Sequence, residues 1–394
     1  MAIYIVVYIF ALAGIFTGAN KNNRNKKIYL TIVFGCLLLV SMLRSSSVGT
    51  DMSVYYSKYY PKFAEADWDS ITRVTRSGHW EWGYCALNKL LCYFSTEPQF
   101  LIIVTSIISI IPVAVFIYKN SGDVVFSAVF FVGYHIFAFF LNATRQSIAF
   151  AIALFGIEKL KQKQYFFFLV YSLIAAMIHT SSAVCLIMLI LDRIELKKND
   201  LYLLTAATVA IVGSYDYIVT RLFSLNVFGG FYNIYQVGVR HAAGYTTIHT
   251  VGMFLISLYV MIVAFINYKR GKTVQYDDIK NSRIRYRYRL IGGKLIKRKV
   301  RVAESISNSN VMYGTYLTML FRMGAFFVNV TARLAYYFMP YVMIGFPRIV
   351  NADPKNKRVY MSIMYLLLTA FFLYILIFRG DLWGVTPYKF FWQR

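Results

Sequence analysis

Acidic residues are scarce in this chain, with 17 Asp and Glu against 42 Lys and Arg in 394 residues. No cluster of His or carboxylates has metal-ligand spacing, and no Gly-rich phosphate loop is present. The first absence leaves a metal centre out of the reading, and the second counts against an ATP-driven machine. The four cysteines, Cys36, Cys85, Cys92 and Cys185, have no metal spacing either, and a structural disulfide is not expected. The seven prolines are scattered, which counts against a transporter built on paired Pro/Gly-broken helices.

Charge of either sign is rare, at 15% of residues, whereas hydrophobic residues make up 58% and aromatics 18%. No soluble fold of this size hides that much apolar surface, so the fold class is an all-α polytopic membrane protein. Apolar runs long enough to approach a ~30 Å hydrocarbon core recur along the chain. They cover about 2–19, 28–43, 99–118, 123–142, 145–160, 164–191, 201–214, 249–268, 311–331, 334–349 and 358–378. The first has no basic residue ahead of it and reads as a retained helix.

The net charge of +25 sits mostly in short loops, the positive-inside pattern, which decides against nucleic acid as a partner. Counting 164–191 as a helical pair turning near His179 places loops 20–27, 119–122, 158–163, 192–200, 268–310 and 351–358 on one side. Those loops hold 27 of the 42 Lys and Arg. The expected architecture is a single integral-membrane domain over 1–394 with about twelve membrane helices and both termini outside. Segments 44–98 and 215–248 are external, and 268–310 is a basic cytoplasmic insert. Segment 44–98 carries six of the acids and many aromatics, among them Tyr55, Trp80 and Trp82. These rings form an interfacial belt or stack on sugars. In the insert, the alternation from Arg283 to Leu290 followed by Gly292-Gly293 predicts a two-stranded hairpin, either a ribbon on anionic lipid or a dock for a cytoplasmic partner.

Three arginines stand out. Arg322 falls mid-run, where a charge needs a cavity or a partner. Arg333 follows eleven positions later, on the same face if the helix is continuous. Arg145 opens a helix rich in small residues. His135 and Asn142 are seven apart on the preceding run, and His179 lies at an outer turn. With Arg44 and Asp51 at the end of the second run, these residues predict an anion-binding cavity open to the outer face, with a base beside it. Arginine suits forked hydrogen bonds to phosphate.

"LRSSSVGTD", "EWGYCALNKLL", "NATRQSIAFAIALFGIEKL", "AAMIHTSSAVCLIML" and the ending "RGDLWGVTPYKFFW" occur in an order that resembles the EpsG-type, Wzy-like bacterial polysaccharide polymerases. The resemblance spans nearly the whole chain; the long basic insert departs from it. It implies a GT-C-like membrane glycosyltransferase of the bacterial cytoplasmic membrane, with its active site facing outside and no cofactor. Its partners would be undecaprenyl-diphosphate-linked oligosaccharides as donor and acceptor, membrane lipids and a chain-length regulator protein. On this reading Arg145, Arg322, Arg333 and Arg44 bind diphosphate. His179, Glu81 and Asp51 are the catalytic candidates, and Tyr55 and Trp82 stack on sugar. A flippase for lipid-linked oligosaccharide, or a ligase or single-sugar transferase, are the competing expectations.

Overall fold

The computed structural model describes residues 1–54, 59–76, 80–194, 203, 206–207, 210, 214, 247–270, 282–291, 294–303, 306–326, 330–379 and 382–393. Tyr55, and all of segment 215–248 except its last two residues, lie outside the described residues.

In the first half, α1 (Ala2–Ala13) and α2 (Asn23–Met42) precede four short helices, α3 (Thr50–Val54), α4 (Tyr60–Glu65), α5 (Trp68–Arg76) and α6 (Trp82–Cys92). The long helix α7 (Pro98–Asn120) is followed by α8 (Val124–Gly133), α9 (Ile136–Asn142), α10 (Thr144–Lys161) and α11 (Tyr165–Ile178). A 3-10 segment, Thr180–Leu186, leads into α12 (Ile187–Leu191). After α13 (Thr247–Lys269) comes an antiparallel hairpin, β1 (Ser282–Ile291) with β2 (Lys294–Ala303). The chain then forms α14 (Asn308–Gly324), α15 (Val330–Ala335), the 3-10 turn Tyr336–Phe338, α16 (Met339–Asn351) and α17 (Lys357–Phe378).

Helix starts follow side-chain capping. Asn22 Oδ1 accepts from Asn25 N at α2, Asp123 Oδ1 from Phe126 N at α8, and Ser307 Oγ from Asn310 N at α14. Each satisfies an otherwise orphaned amide of the first turn. Burial then sorts the helices. All ten residues of α8 are buried, as are Met339–Val350 of α16, so these two form the interior of the bundle. The outer helices expose apolar side chains such as Ile9, Ile32, Ile111, Leu255, Leu366 and Ile377. An apolar belt of that extent is covered by lipid.

Among the described residues, four helices are long and apolar enough to cross a membrane: Asn23–Met42, Pro98–Asn120, Ile248–Asn267 and Lys357–Phe378. Counting α8 and α9 as one bent span gives five. The pair bends by 51° at His135, which adopts a left-handed φ of 61° and caps α9. His135 and Asn142 therefore do not share one face of an unbroken helix. The sequence run 164–191 does break at His179, whose backbone is extended between α11 and the 3-10 segment. Run 311–331 differs from expectation because α14 stops at Gly324 and α15 begins anew at Val330. Arg322 and Arg333 thus belong to separate helices.

The loops assigned to one side by charge are joined laterally at one end of the bundle. Asn20 Nδ2 donates to Asp123 Oδ1 at 2.7 Å, and Asn120 and Lys161 both donate to Glu158. Lys163 Nζ meets Asp192 Oδ1 at 2.8 Å, Asn310 Nδ2 donates to the same oxygen at 2.6 Å, and Arg270 pairs with Asp353 at 3.2 Å. At the opposite end, the chain after α17 returns over the end of α2. Ser45 N donates to Lys389 O and Phe391 N to Leu43 O, at 2.8 and 2.9 Å. Tyr4 at the start of α1 also donates there, to Val385 O at 2.7 Å.

Candidate functional site

The site lies at that second end. Glu81 immediately precedes α6, where an extended backbone (φ −73°, ψ 140°) sets it at the helix N-terminus. Its carboxylate is a hub. Arg145 Nη1, in the first turn of α10, donates to Oε2 at 2.6 Å. His179 Nδ1 lies 2.8 Å from Oε1, and the Thr180 amide donates to that same oxygen at 3.1 Å. Three sequence-distant elements therefore converge on one side chain that keeps only 11% of its surface exposed. Burial works against ionising Glu81, but the hydrogen bond and charge of His179, and then the charge of Arg145, outweigh it. They hold its pKa at about 2 instead of 4.5.

A carboxylate that stays ionised accepts hydrogen bonds only. The proton between Glu81 and His179 is therefore on Nδ1, and Nε2 is the ring nitrogen that takes no part in this contact.

Asp51 sits beside this hub. Thr50 Oγ1 and the Asp51 amide both donate to Asn142 Oδ1, at 2.8 and 2.9 Å, tying α3 to the end of α9. Gly49 makes this approach feasible. Its φ is +100°, and an added Cβ would run into the Leu141 carbonyl oxygen. Burial raises the Asp51 carboxyl above its ordinary range, while the charges of Arg333, Arg145 and His179 pull it back. Gln146 Nε2 donates to the Arg333 carbonyl at 2.7 Å, which holds α15 against the start of α10. Ser181 and Tyr337 pair at 3.2 Å and join the turn after His179 to the turn after α15. Glu81, His179, Arg145, Asp51 and Arg333 thus occupy one electrostatic environment.

Two of the arginines expected in the site are elsewhere. Arg44 turns inward, with Nη1 donating to Ser41 O at 2.6 Å and to the hydroxyls of Ser41 and Ser106. It forms no ion pair with Asp51. Arg322 is buried beneath the site. Its guanidinium carbon lies 4.6 Å from the Tyr336 ring centre and 5.7 Å from that of Tyr134. Among the described residues no carboxylate ion-pairs with either of them.

Of the aromatics, Trp82 opens α6 and is 45% exposed, and Tyr55 lies outside the described residues. The ring that meets the site is Trp80, 5.7 Å from the Arg145 guanidinium carbon and packed against Tyr59 and Tyr84. Sequence reasoning selected Trp82 over Trp80. The only signal that separates them is that Trp80 precedes the Glu81 cap, whereas Trp82 begins the helix. Thr180 was also missed, because a backbone amide leaves no trace in residue type.

A helical bundle with several long apolar helices and a part-buried cluster of Glu81, His179, Arg145, Asp51 and Arg333 at one end defines a multi-pass membrane protein. The chain belongs to the EpsG family, whose model matches residues 27–390. No curated protein and no solved structure matches the chain at a significant level.

Proposed function

We propose that this protein is a membrane glycosyltransferase that polymerises oligosaccharide repeat units carried on undecaprenyl diphosphate. Family membership supports the polysaccharide polymerase class. The observation that carries the chemistry is the Glu81–His179 contact at 2.8 Å, with Arg145 on the second oxygen of the same carboxylate. The GT-C-like architecture, the twelve crossings, the bacterial cytoplasmic membrane and the outward-facing site are parts of the same proposal. So is recruitment of a chain-length regulator.

In the reaction, the acceptor sugar hydroxyl gives its proton to His179 Nε2 as its oxygen bonds to the anomeric carbon of the donor. The bond from that carbon to the diphosphate oxygen breaks, and the electron pair leaves with the lipid diphosphate. Glu81 keeps His179 in the required tautomer and stabilises the imidazolium that forms. Negative charge grows on the leaving diphosphate, and Arg145 and Arg333 are placed to stabilise it. Arg322, buried behind Tyr336, adds a fixed positive charge from beneath, while Arg44 holds the end of α2 together. Asp51 orients Arg333 and the acceptor. Trp80 offers the sugar-stacking face, with Trp82 as a further platform.

The test uses purified protein in proteoliposomes with lipid-linked repeat units alone. A ladder of products spaced by one repeat unit supports the proposal. A single addition indicates a ligase or single-sugar transferase, and substrate crossing the bilayer without a new glycosidic bond indicates a flippase.

A further inference from the structure

The basic hairpin lies outside the site and has no role in the reaction above. Strands β1 and β2 together carry nine Lys and Arg and no Asp or Glu. Their register pairs Arg287 with Arg298, Tyr286 with Lys299 and Tyr288 with Lys297. Like charges at directly paired positions destabilise a ladder, and an isolated two-stranded hairpin is marginal in water in any case. Within these strands nothing compensates the charge, so a stable ribbon needs a polyanion from outside itself.

Its tether says which polyanion is always within reach. Ala303 and Asn308, the first residue of α14, are five positions apart, at most ~18 Å of extended chain. The start of α14 is fixed in turn. Arg348 Nη1 donates to Ile306 O at 2.7 Å, and Asn310 Nδ2 to Asp192 Oδ1 at 2.6 Å. Asp192 also accepts from Tyr165 at the start of α11, and His179 lies at the far end of that helix. The ribbon is therefore leashed to the Lys/Arg-rich end of the bundle, opposite the Glu81 site.

Alternation also mixes the two surfaces. One set of paired positions carries six of the cations. The other carries three, together with Ile284, Tyr286, Tyr288 and Leu290. Neither surface is apolar enough to pack as core. Both are cationic, and the second adds Tyr286 and Tyr288, a composition that suits an interfacial element.

We propose that residues 282–303 form a lipid-responsive ribbon, which lies on the anionic headgroups of the adjacent leaflet and is held in its hairpin form by them. A soluble acidic protein or RNA would supply similar charge, but it would not need so short a leash to a membrane helix.

The experiment is hydrogen–deuterium exchange on the full-length protein in nanodiscs, comparing phosphatidylcholine alone with phosphatidylcholine plus phosphatidylglycerol. Three or more cations on an anionic surface predict backbone exchange over 282–303 slower by at least about tenfold in the anionic discs. That protection should vanish at molar salt, where screening shortens the field to a few ångströms. A variant with Arg283, Arg285, Arg287 and Arg289 all changed to Gln should lose it while α7 and α17 exchange as in wild type. Equal exchange of the wild-type hairpin in both discs overturns the proposal. So does protection that appears only when polyglutamate or RNA is added to neutral discs.

Discussion

His179 and Glu81, 98 positions apart, meet through Nδ1 and Oε1 at 2.8 Å at the end of the bundle opposite the basic hairpin. The contact supports different proposed roles for two residues that sequence alone leaves interchangeable. Glu81 accepts from Arg145 and the Thr180 amide, so the proposed mechanism takes the acceptor proton at Nε2 of His179.

Stability at low pH follows from the Glu81 carboxylate. Its pKa is depressed from 4.5 to about 2, so its stabilisation is complete above pH 4.5 and is lost as pH falls through about 2. A shift of this size corresponds to a contribution on the order of 3 kcal/mol. Thermal unfolding of the detergent-solubilised protein should show a decline in Tm between pH 4.5 and 2 that is smaller in Glu81→Gln. Equal declines would show that Glu81 is not held ionised.

Arg145→Lys keeps the charge but loses the planar fork that reaches Glu81 while lying near Trp80. Polymer formation from lipid-linked repeat units should fall about 10²-fold, the scale for loss of one preorganised donor. Undiminished polymer would remove Arg145 from diphosphate stabilisation.

Arg322 is 1% exposed and its Nε and Nη2 atoms have no hydrogen-bond partner among the described residues. Replacing a buried charge of this kind with a long apolar side chain is often neutral or stabilising. Arg322→Met should therefore keep or raise Tm while lowering polymerisation. A fall in Tm with unchanged polymerisation would make its role purely structural.

Gly49→Ala tests the packing of α3 on α9. The positive φ and the Leu141 carbonyl both oppose a Cβ, so a loss of ~1–3 kcal/mol is expected. The measurement is the Tm of the purified variant. An unchanged Tm would mean that α3 reaches Asn142 by another route.

Much of the large-scale organisation was legible because it depends on composition and charge. Loop 20–27 reaches Asp123, the residue just after loop 119–122, through Asn20, and loop 158–163 reaches 192–200 through Lys163 and Asp192. The chain break at His179 was legible because only a helical pair over 164–191 keeps the basic loop 268–310 on the same side as the other Lys/Arg-rich loops. Residues of identical type in similar contexts could not be told apart. Arg44 and Arg145 both stand at the edge of an apolar run, yet Ser41 and Ser106 draw the first inward while Glu81 holds the second in the site. The bend at His135 left no Pro in the sequence to announce it. It separates α8, buried on every side, from α9, which carries Asn142 to Asp51. Arg322 was correctly read as needing a partner, but that partner is aromatic and comes partly from Tyr134, 188 positions away.

The most direct test of the central claim is the rate of polymer formation by His179→Ala beside wild type, on purified lipid-linked repeat units in proteoliposomes. Loss of a general base predicts a fall of about 10²–10⁴-fold, with the wild-type ladder reduced to unreacted substrate on the same timescale. A His179→Ala ladder equal to that of wild type would contradict the assignment of His179 as the base.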